Sequence, residues 1–303
     1  MNNEGIVVLS LFDGMSCGQI ALQKLGIKVK QYYACEIDKY AMSVTQANFP
    51  NTIQLGDVRF IDVSKLPKID LLIGGSPCQS FSFAGKQNGM STKDSIEILT
   101  IEHYLELKEQ KFEFEGQSYL FWEYMRIKKE ADPTNFLLEN VMMSDKWKRV
   151  LTQAIGIKPI CINSSLVSAQ NRERLYWTNI GAEADGLFGD LACKIPQPKD
   201  KGILLRDILE EEVDERYYLS EKALKMLGDV MIDKSVNKEK SMTIDSSYYK
   251  GVGIRCNDCR QIVVHNMMPR SRVGDPAKGG TGHLTKSDGK TDKTIDLLSK
   301  LED

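Results

Sequence analysis

Residues 6–18 read IVVLSLFDGMSCG, an apolar run rich in β-branched residues that ends in a turn with two glycines. A short apolar run followed by glycine and an amphipathic stretch is typical of a buried strand that leads into a helix. The helix is expected over residues 19–25, where Ile20, Leu22 and Leu25 precede Gly26. This segment predicts the first strand, turn and helix of a parallel α/β sheet.

The same alternation of strand and helix continues to about residue 180. A second helix is expected over residues 119–129, and strands are expected at residues 6–11, 29–34, 52–55, 69–73, 136–138, 160–166 and 175–180. After Gly181 the alternation is lost, and proline and glycine become frequent. We therefore predict a Rossmann-like, mostly parallel α/β domain over residues 1–181 and a smaller, irregular domain over residues 182–303.

Composition excludes several classes of protein. The 303 residues are 42% hydrophobic and 27% charged, which is typical of a globular chain rather than a disordered one. No apolar run approaches the length that spans a bilayer, so we expect no membrane association. Seven scattered cysteines indicate a reducing compartment and a cytoplasmic protein. The net charge of −2 provides no overall positive field for nucleic acid, although residues 246–290 are locally basic.

Ligands of open parallel sheets bind at the carboxyl ends of the strands. The residues that follow the predicted strands combine glycines, carboxylates and one thiol. They are Phe12, Asp13, Gly14 and Gly18 after the first strand, Glu36 and Asp38 after the second, Asp57 after the third, Gly74 to Cys78 after the fourth, and Glu139 and Asn140 after the fifth.

The first turn predicts a nucleoside cofactor. Gly14 and Gly18 would allow a ligand to approach the backbone, and Glu36 follows at the distance usual for a ribose partner. The pattern lacks the third glycine that makes room for a pyrophosphate, so a cofactor with adenosine and no phosphate, S-adenosylmethionine, fits better. The alternative is an ordinary tight turn between strand and helix.

Cys78 is the candidate nucleophile, because Pro77 fixes its approach and the following segment has Gly85 and Gly89 as hinges. The alternative is a small buried hydrophobic residue. Glu139 emerges from an apolar strand and could donate a proton, or it could be a plain surface carboxylate. Arg172 and Arg174 alternate along an extended segment and would share one face of it.

Six segments in this order and spacing resemble the DNA (cytosine-5) methyltransferases. They are residues 10–14 (SLFDG), 36–39 (EIDK), 56–57 (GD), 75–82 (GSPCQSFS), 139–141 (ENV) and 170–174 (QNRER). The resemblance implies a class I methyltransferase fold and transfer of a methyl group from S-adenosylmethionine to C5 of cytosine in double-stranded DNA.

The resemblance also implies roles for individual residues. Cys78 would add to C6 of a flipped-out cytosine, with the loop from residue 79 to about 95 closing over it. Glu139 would contact N3, Arg174 would face O2, and Arg172 would help to position the catalytic groups. The residues expected around the cofactor are Phe12, Asp13, Gly14, Gly18, Glu36 at the ribose, Ile37, Asp57 at the adenine amine, Pro77 and Leu120.

The chain departs from the family pattern in three places. Met15 and Ser16 stand where a second glycine of the first segment is common. A polar insertion between residues 92 and 117 has no assigned role, and the family's two C-terminal segments are not found before Asp303. The alternatives are therefore a truncated or split homologue that needs a second chain, a homologue that binds DNA or a partner without turnover, and an RNA cytosine-5 methyltransferase. Residues 182–303 would read bases in the major groove.

No metal is expected. The weaker alternative is a zinc site formed by Cys256, Cys259, His265 and His283, in which one Cys-x-x-Cys is combined with irregularly placed histidines.

Overall fold

The computed structural model describes residues 5–78, 81, 89–186, 189–210, 214 and 239–243. The chain divides into two compact units. The first unit comprises Met1–Asn163 and Glu173–Gln197, and the second comprises Ser164–Arg172 and Pro198–Asp303. Among the described residues, no helix has the length and apolar character needed to cross a membrane.

This division differs from the expected boundary at residue 181. Residues 182–197 belong to the first unit, whereas residues 164–172 belong to the second. The reason for the first difference is strand pairing, because two strands that follow Gly181 form a sheet with a strand near residue 157. The role of the second unit in target recognition stays a prediction.

The first unit has two sheets. Their ten strands are β1 (Ile6–Leu11), β2 (Val29–Cys35), β3 (Ile53–Gln54), β4 (Leu71–Gly74), β5 (Asn135–Val141), β6 (Ile157–Lys158), β7 (Ile160–Asn163), β8 (Glu173–Thr178), β9 (Ala182–Asp185) and β10 (Asp190–Cys193). The main sheet has the order β3-β2-β1-β4-β5-β8-β7, and the smaller one has the order β6-β10-β9.

The main sheet is parallel except for β8, which lies next to the edge strand β7. β1 pairs in parallel with β2 and β4, and β4 pairs in parallel with β5. β8 runs antiparallel to both β5 and β7. The structure therefore confirms the mostly parallel α/β fold. It also shortens the strand expected at 160–166, since β7 ends at Asn163 and a 3-10 turn follows it.

Five helices are described. They are α1 (Cys17–Lys24), α2 (Lys39–Asn48), α3 (Ile101–Glu109), α4 (Phe121–Ala131) and α5 (Asp145–Ile155). α1 and α4 confirm the two expected helices, although a 3-10 turn over Ser118–Leu120 precedes α4. α3 lies within the polar insertion, where the buried side chains of Tyr104 and Leu107 anchor it in the core.

The described part of the second unit is organised around Lys240. Its ammonium group donates hydrogen bonds to the carbonyl oxygens of Ser165 at 2.9 Å, Ser168 at 3.2 Å and Ile203. The backbone N–H of Asn171 donates to the carbonyl of Ser241 at 2.9 Å. These bonds fold residues 164–172 against residues 239–243 within this unit.

Candidate active site

The turn after β1 and the end of β2 are joined through Glu36. One carboxylate oxygen accepts a hydrogen bond from the backbone N–H of Gly14 at 2.8 Å. The other accepts from the N–H groups of Ile37 at 2.7 Å and Asp38 at 2.9 Å. Three backbone donors fix this carboxylate beside the glycine turn, which is the place expected for a ribose partner.

The glycine turn has an unusual backbone that other side chains support. Phe12, Gly14 and Ser16 have φ angles of 57°, 59° and 59°. Asp13 accepts hydrogen bonds from the hydroxyl of Tyr32 at 2.8 Å and from that of Ser16. A Cβ at Gly14 would meet no atom within 4 Å, so the space beside this residue is open to a ligand. Asp13 thus holds the shape of the turn from within.

Gly18 has a different structural explanation. A Cβ at this position would lie 2.4 Å from Cδ1 of Ile73 and 2.9 Å from the hydroxyl oxygen of Tyr32. The glycine therefore allows α1 to pack closely on the sheet. Its expected contact with a cofactor stays a prediction.

Three of the expected cofactor residues carry charges that act on the thiol of Cys35, the last residue of β2. Burial raises the pKa of this thiol far above its usual value, and the charges of Asp13, Asp57 and Glu36 raise it further. The backbone N–H of Asp13 donates to the carbonyl of Cys35 at 3.1 Å, and Gly14 donates to Glu36, so Asp13 and Glu36 meet at the carboxyl ends of β1 and β2. The sheet thus brings together acids that are far apart in sequence.

Asp57 begins the turn that follows β3. Arg59 forms a bidentate ion pair with it, with Nε 3.0 Å from each carboxylate oxygen. The hydrogen bonds from Arg59 lower the pKa of Asp57, with partial burial acting in the opposite direction. Asp57 therefore stays an ionised acceptor, as recognition of an amine requires.

The other expected cofactor residues differ in exposure. Ile37 is 67% exposed, so its side chain is available to pack against a ring. Phe12 and Leu120 are partly buried against the core, and Pro77 is half-buried.

Glu139 lies against the turn that carries Cys78. A Cβ at Gly75 would be only 3.0 Å from Oε2 of Glu139, so the carboxylate covers this glycine directly. Oε1 of Glu139 forms an ion pair with Nε of Arg174 at 2.8 Å. The pairing of β5 with β8 places the two side chains on neighbouring strands. A carboxylate and a guanidinium are therefore combined beside the turn with the thiol.

Asn140 belongs to the sequence motif at residues 139–141, and its side chain holds the turn that precedes Cys78. Its side-chain amide donates to the hydroxyl of Ser76 at 3.0 Å and to the carbonyl of Ser76 at 3.3 Å. Asn140 is 1% exposed and shares the buried face of β5 with Phe136 and Leu138. The sequence signal for this role is a polar residue at a position where β5 otherwise carries buried apolar side chains, because such a residue needs a hydrogen-bond partner in the core.

The described residues after Cys78 pack on α5. The N–H of Phe81 donates to the carbonyl of Cys78 at 2.9 Å, and its ring lies 5.8 Å from that of Trp147. Gly89, with φ 67°, passes so close to Trp147 that a Cβ would lie 1.7 Å from its ring. The expected closing loop from residue 79 to about 95 lies partly outside the described residues.

Two other predicted groups of residues are divided between the two units or lie outside the described residues. Arg172 belongs to the second unit and Arg174 to the first, so their shared orientation stays a prediction. The candidate zinc ligands, Cys256, Cys259, His265 and His283, lie outside the described residues.

A mostly parallel sheet, with a glycine turn after β1 and an acid after β2, is the arrangement of a Rossmann-like domain. The chain belongs to the family of C-5 cytosine-specific DNA methylases, whose family model matches residues 6–286. This confirms the family predicted from the six sequence segments.

Curated relatives come from phages and bacteria. The chain is 32% identical over 271 residues to the orphan methyltransferase M.Rho11sI of Bacillus phage rho11s, a match that covers 77% of this chain and 49% of the relative. It is 30% identical over 226 residues to the type II methyltransferase M1.ScrFI of Lactococcus lactis subsp. cremoris, covering 71% and 51%. The chain spans about half the length of these relatives.

The fold also matches a solved structure. A crystal structure of a Spodoptera frugiperda DNMT2 mutant aligns with a TM-score of 0.54 and 20% sequence identity, covering 88% of this chain and 76% of that one. The match confirms the expected class I methyltransferase fold.

Proposed function

We propose that this protein transfers a methyl group from S-adenosyl-L-methionine to C5 of cytosine in double-stranded DNA, through a covalent bond to Cys78 and extrusion of the base from the helix. The observation that carries the proposal is the cluster beside Cys78, where Glu139 covers Gly75 and pairs with Arg174. Membership of the cytosine-5 family supports the type of reaction.

The residues of the glycine turn fit the proposed cofactor. The open space at Gly14, the fixed carboxylate of Glu36 and the ionised Asp57 match a ligand with a ribose and an exocyclic amine. Ile37 offers an exposed apolar side chain for the ring. The bound cofactor would supply an electrophilic methyl group on a sulfonium.

Cys78 would begin the reaction. Its thiolate forms a bond to C6 of cytosine, and the electrons of the C5–C6 double bond shift toward N3 and O2. C5 thereby becomes nucleophilic enough to accept the methyl group. Loss of the C5 proton to a base then re-forms the double bond and expels the thiolate.

Glu139 and Arg174 would stabilise the charge that develops on the ring. Glu139 hydrogen-bonds to N3 or protonates it, and Arg174 faces O2. Their mutual ion pair keeps both groups oriented before the base arrives. Arg172 is proposed to help to position Glu139 and Arg174, and this proposal is supported by the sequence motif at residues 170–174 alone.

The thiol cannot reach a base that is stacked in a duplex, which is why base flipping belongs to the proposal. The second unit is proposed to read the DNA sequence. A second chain that supplies the family's C-terminal segments is a further proposed partner, and the cytoplasm of a bacterial or phage-infected cell is the proposed location.

Bisulfite sequencing tests the proposal. Plasmid DNA from a host without cytosine methylation is sequenced after expression of the wild-type chain or Cys78→Ala. We expect methylated cytosines at one recurrent sequence with the wild type and none with the variant. Unmethylated DNA together with methylated RNA would favour the RNA alternative, and methylation by Cys78→Ala would refute the nucleophile.

A further inference from the structure

The polar insertion contributes directly to a buried charge cluster on α4. Glu123 is fully buried, with 0% exposure. Its Oε1 accepts a hydrogen bond from the hydroxyl of Tyr104 at 2.5 Å, and the same oxygen forms an ion pair with Lys108. Both donors lie on α3, within the insertion. The insertion is therefore part of the first unit's interior rather than an appendage.

The other oxygen of Glu123 holds Arg126. Oε2 lies 2.7 Å from Nε of Arg126, whose Nη1 also pairs with Glu130 at 2.8 Å. The same guanidinium donates to the carbonyls of Val58 at 3.2 Å and Ile61 at 3.4 Å. Arg126 thus spans the turn that begins at Asp57, with a bond to the backbone on each side of Arg59 and Phe60.

The energetics of such a cluster favour a role in geometry over one in stability. Removing charges from water is costly, and apolar residues of similar volume often stabilise a protein equally well. What an apolar core cannot provide is a planar guanidinium held at a fixed angle by a carboxylate. Here that plane sets the positions of two carbonyls in the turn that presents Asp57.

We propose that Tyr104, Lys108, Glu123 and Arg126 are positioning residues for cofactor selection: the insertion fixes Glu123, Glu123 fixes Arg126, and Arg126 fixes the turn through which Asp57 recognises the adenine amine. The inference rests on the proposed function, because Asp57 contacts adenine only if the cofactor binds there. It gives the insertion a specific role.

Calorimetric titration of the full chain with two probes tests this. The probes are S-adenosylhomocysteine and its analogue with a 6-oxo group in place of the 6-amino group. The wild type should prefer the amino compound, since only that compound donates from position 6 to a carboxylate. Arg126→Lys keeps the charge beside Glu123 but cannot span both carbonyls. It should weaken binding of the amino compound about tenfold and that of the oxo compound far less.

Two further variants complete the design. Tyr104→Phe removes a single hydroxyl from the insertion, and it should reduce the preference about threefold without loss of core volume. Arg149→Lys is the matched control, because Arg149 is exposed on α5, and its preference should equal that of the wild type. Should Arg126→Lys fail to fold by circular dichroism, Tyr104→Phe decides the question.

The outcomes separate the two proposals. If the wild type binds neither probe, the proposed cofactor is wrong and the positioning role falls with it. If the wild type binds with the expected preference, but folded Arg126→Lys and Tyr104→Phe keep that preference, only the positioning role is overturned. An equal loss for both probes would also overturn it, since a merely structural defect has no reason to distinguish an amine from a carbonyl.

Discussion

Replacing Asn140 with alanine should disturb the Cys78 turn more than the fold. The side-chain amide of Asn140 makes two hydrogen bonds to Ser76, at 3.0 Å and 3.3 Å, and Asn140 is 1% exposed. Water cannot easily replace a donor at that depth. With a neutral hydrogen bond worth about 1 kcal/mol and a buried unsatisfied group costing about 1–3 kcal/mol, we expect a loss of about 2 kcal/mol in the free energy of unfolding.

The chain offers a matched control in Asn179. Its side chain also joins backbone groups of neighbouring segments, since it accepts from the N–H of Phe136 at 2.9 Å and donates to the carbonyl of Thr134 at 2.9 Å. These bonds lie at the amino end of β5, whereas Ser76 lies near its carboxyl end. Asn179→Ala should therefore cost less stability than Asn140→Ala, because its bonds lie nearer to solvent, and it should leave the turn that carries Cys78 in place.

Two measurements decide this prediction. Urea denaturation gives the stability of each variant, and gel analysis gives the rate of covalent trapping on DNA in which 5-fluorocytosine replaces cytosine. Asn140→Ala should slow trapping about tenfold or more, because a displacement near 1 Å is costly for a reacting group. Asn179→Ala should trap at the wild-type rate. Equal trapping rates for the two folded variants would show that Asn140 does not position the Cys78 turn.

Three further outcomes are expected. Gly75→Ala should lower the methylation rate with little loss of stability, because its Cβ would lie 3.0 Å from Oε2 of Glu139 and displace the carboxylate. Methyl transfer and urea denaturation measure the two effects, and an unchanged methylation rate would contradict this prediction. Gly89→Ala should destabilise the fold by about 3 kcal/mol or more, because Gly89 has a φ of 67° and its new Cβ would lie 1.7 Å from the ring of Trp147. A melting temperature equal to that of the wild type would disprove this. Burial raises the pKa of the Cys35 thiol in the fold, whereas the unfolded chain loses this proton above about pH 8.5, so the free energy of unfolding should fall as the pH rises. Urea denaturation at increasing pH should show a smaller fall for Cys35→Ala, and an equal fall in the wild type and the variant would refute this prediction.

The fold could be predicted where local patterns dominate. β1, β2 and β4 are apolar runs in the centre of the sheet, and each has the bounds expected within two residues. The helix α3 was missed because the insertion is polar overall and only Tyr104 and Leu107 of that helix are buried. The antiparallel direction of β8 was missed as well, since periodicity gives a strand without its direction.

The candidate site shows the same division. Residues in the motifs could be named from the sequence, because strand ends in a parallel sheet meet at one edge. The residues that hold these motifs in place could not be named, because their partners are distant in sequence. Asn140 and Ser76 are 64 residues apart, and Arg126 is 65 residues from Ile61 and 68 from Val58. Such pairs depend on how distant segments pack, which a single sequence does not encode in any local pattern. Gly18 illustrates the reverse case, since packing against Ile73 accounts for a glycine that its motif assigned to a ligand.

Peptide mapping of the trapped complex tests directly whether Cys78 is the nucleophile. The full chain is incubated with S-adenosyl-L-methionine and duplex DNA synthesised with 5-fluorocytosine in place of every cytosine, so the target sequence need not be known. After digestion, mass spectrometry should find the modified base attached to the peptide that contains Cys78, and Cys78→Ala should give no adduct. An adduct on Cys17 or another cysteine, or no adduct from a chain that binds both the cofactor and DNA, would show that Cys78 is not the nucleophile.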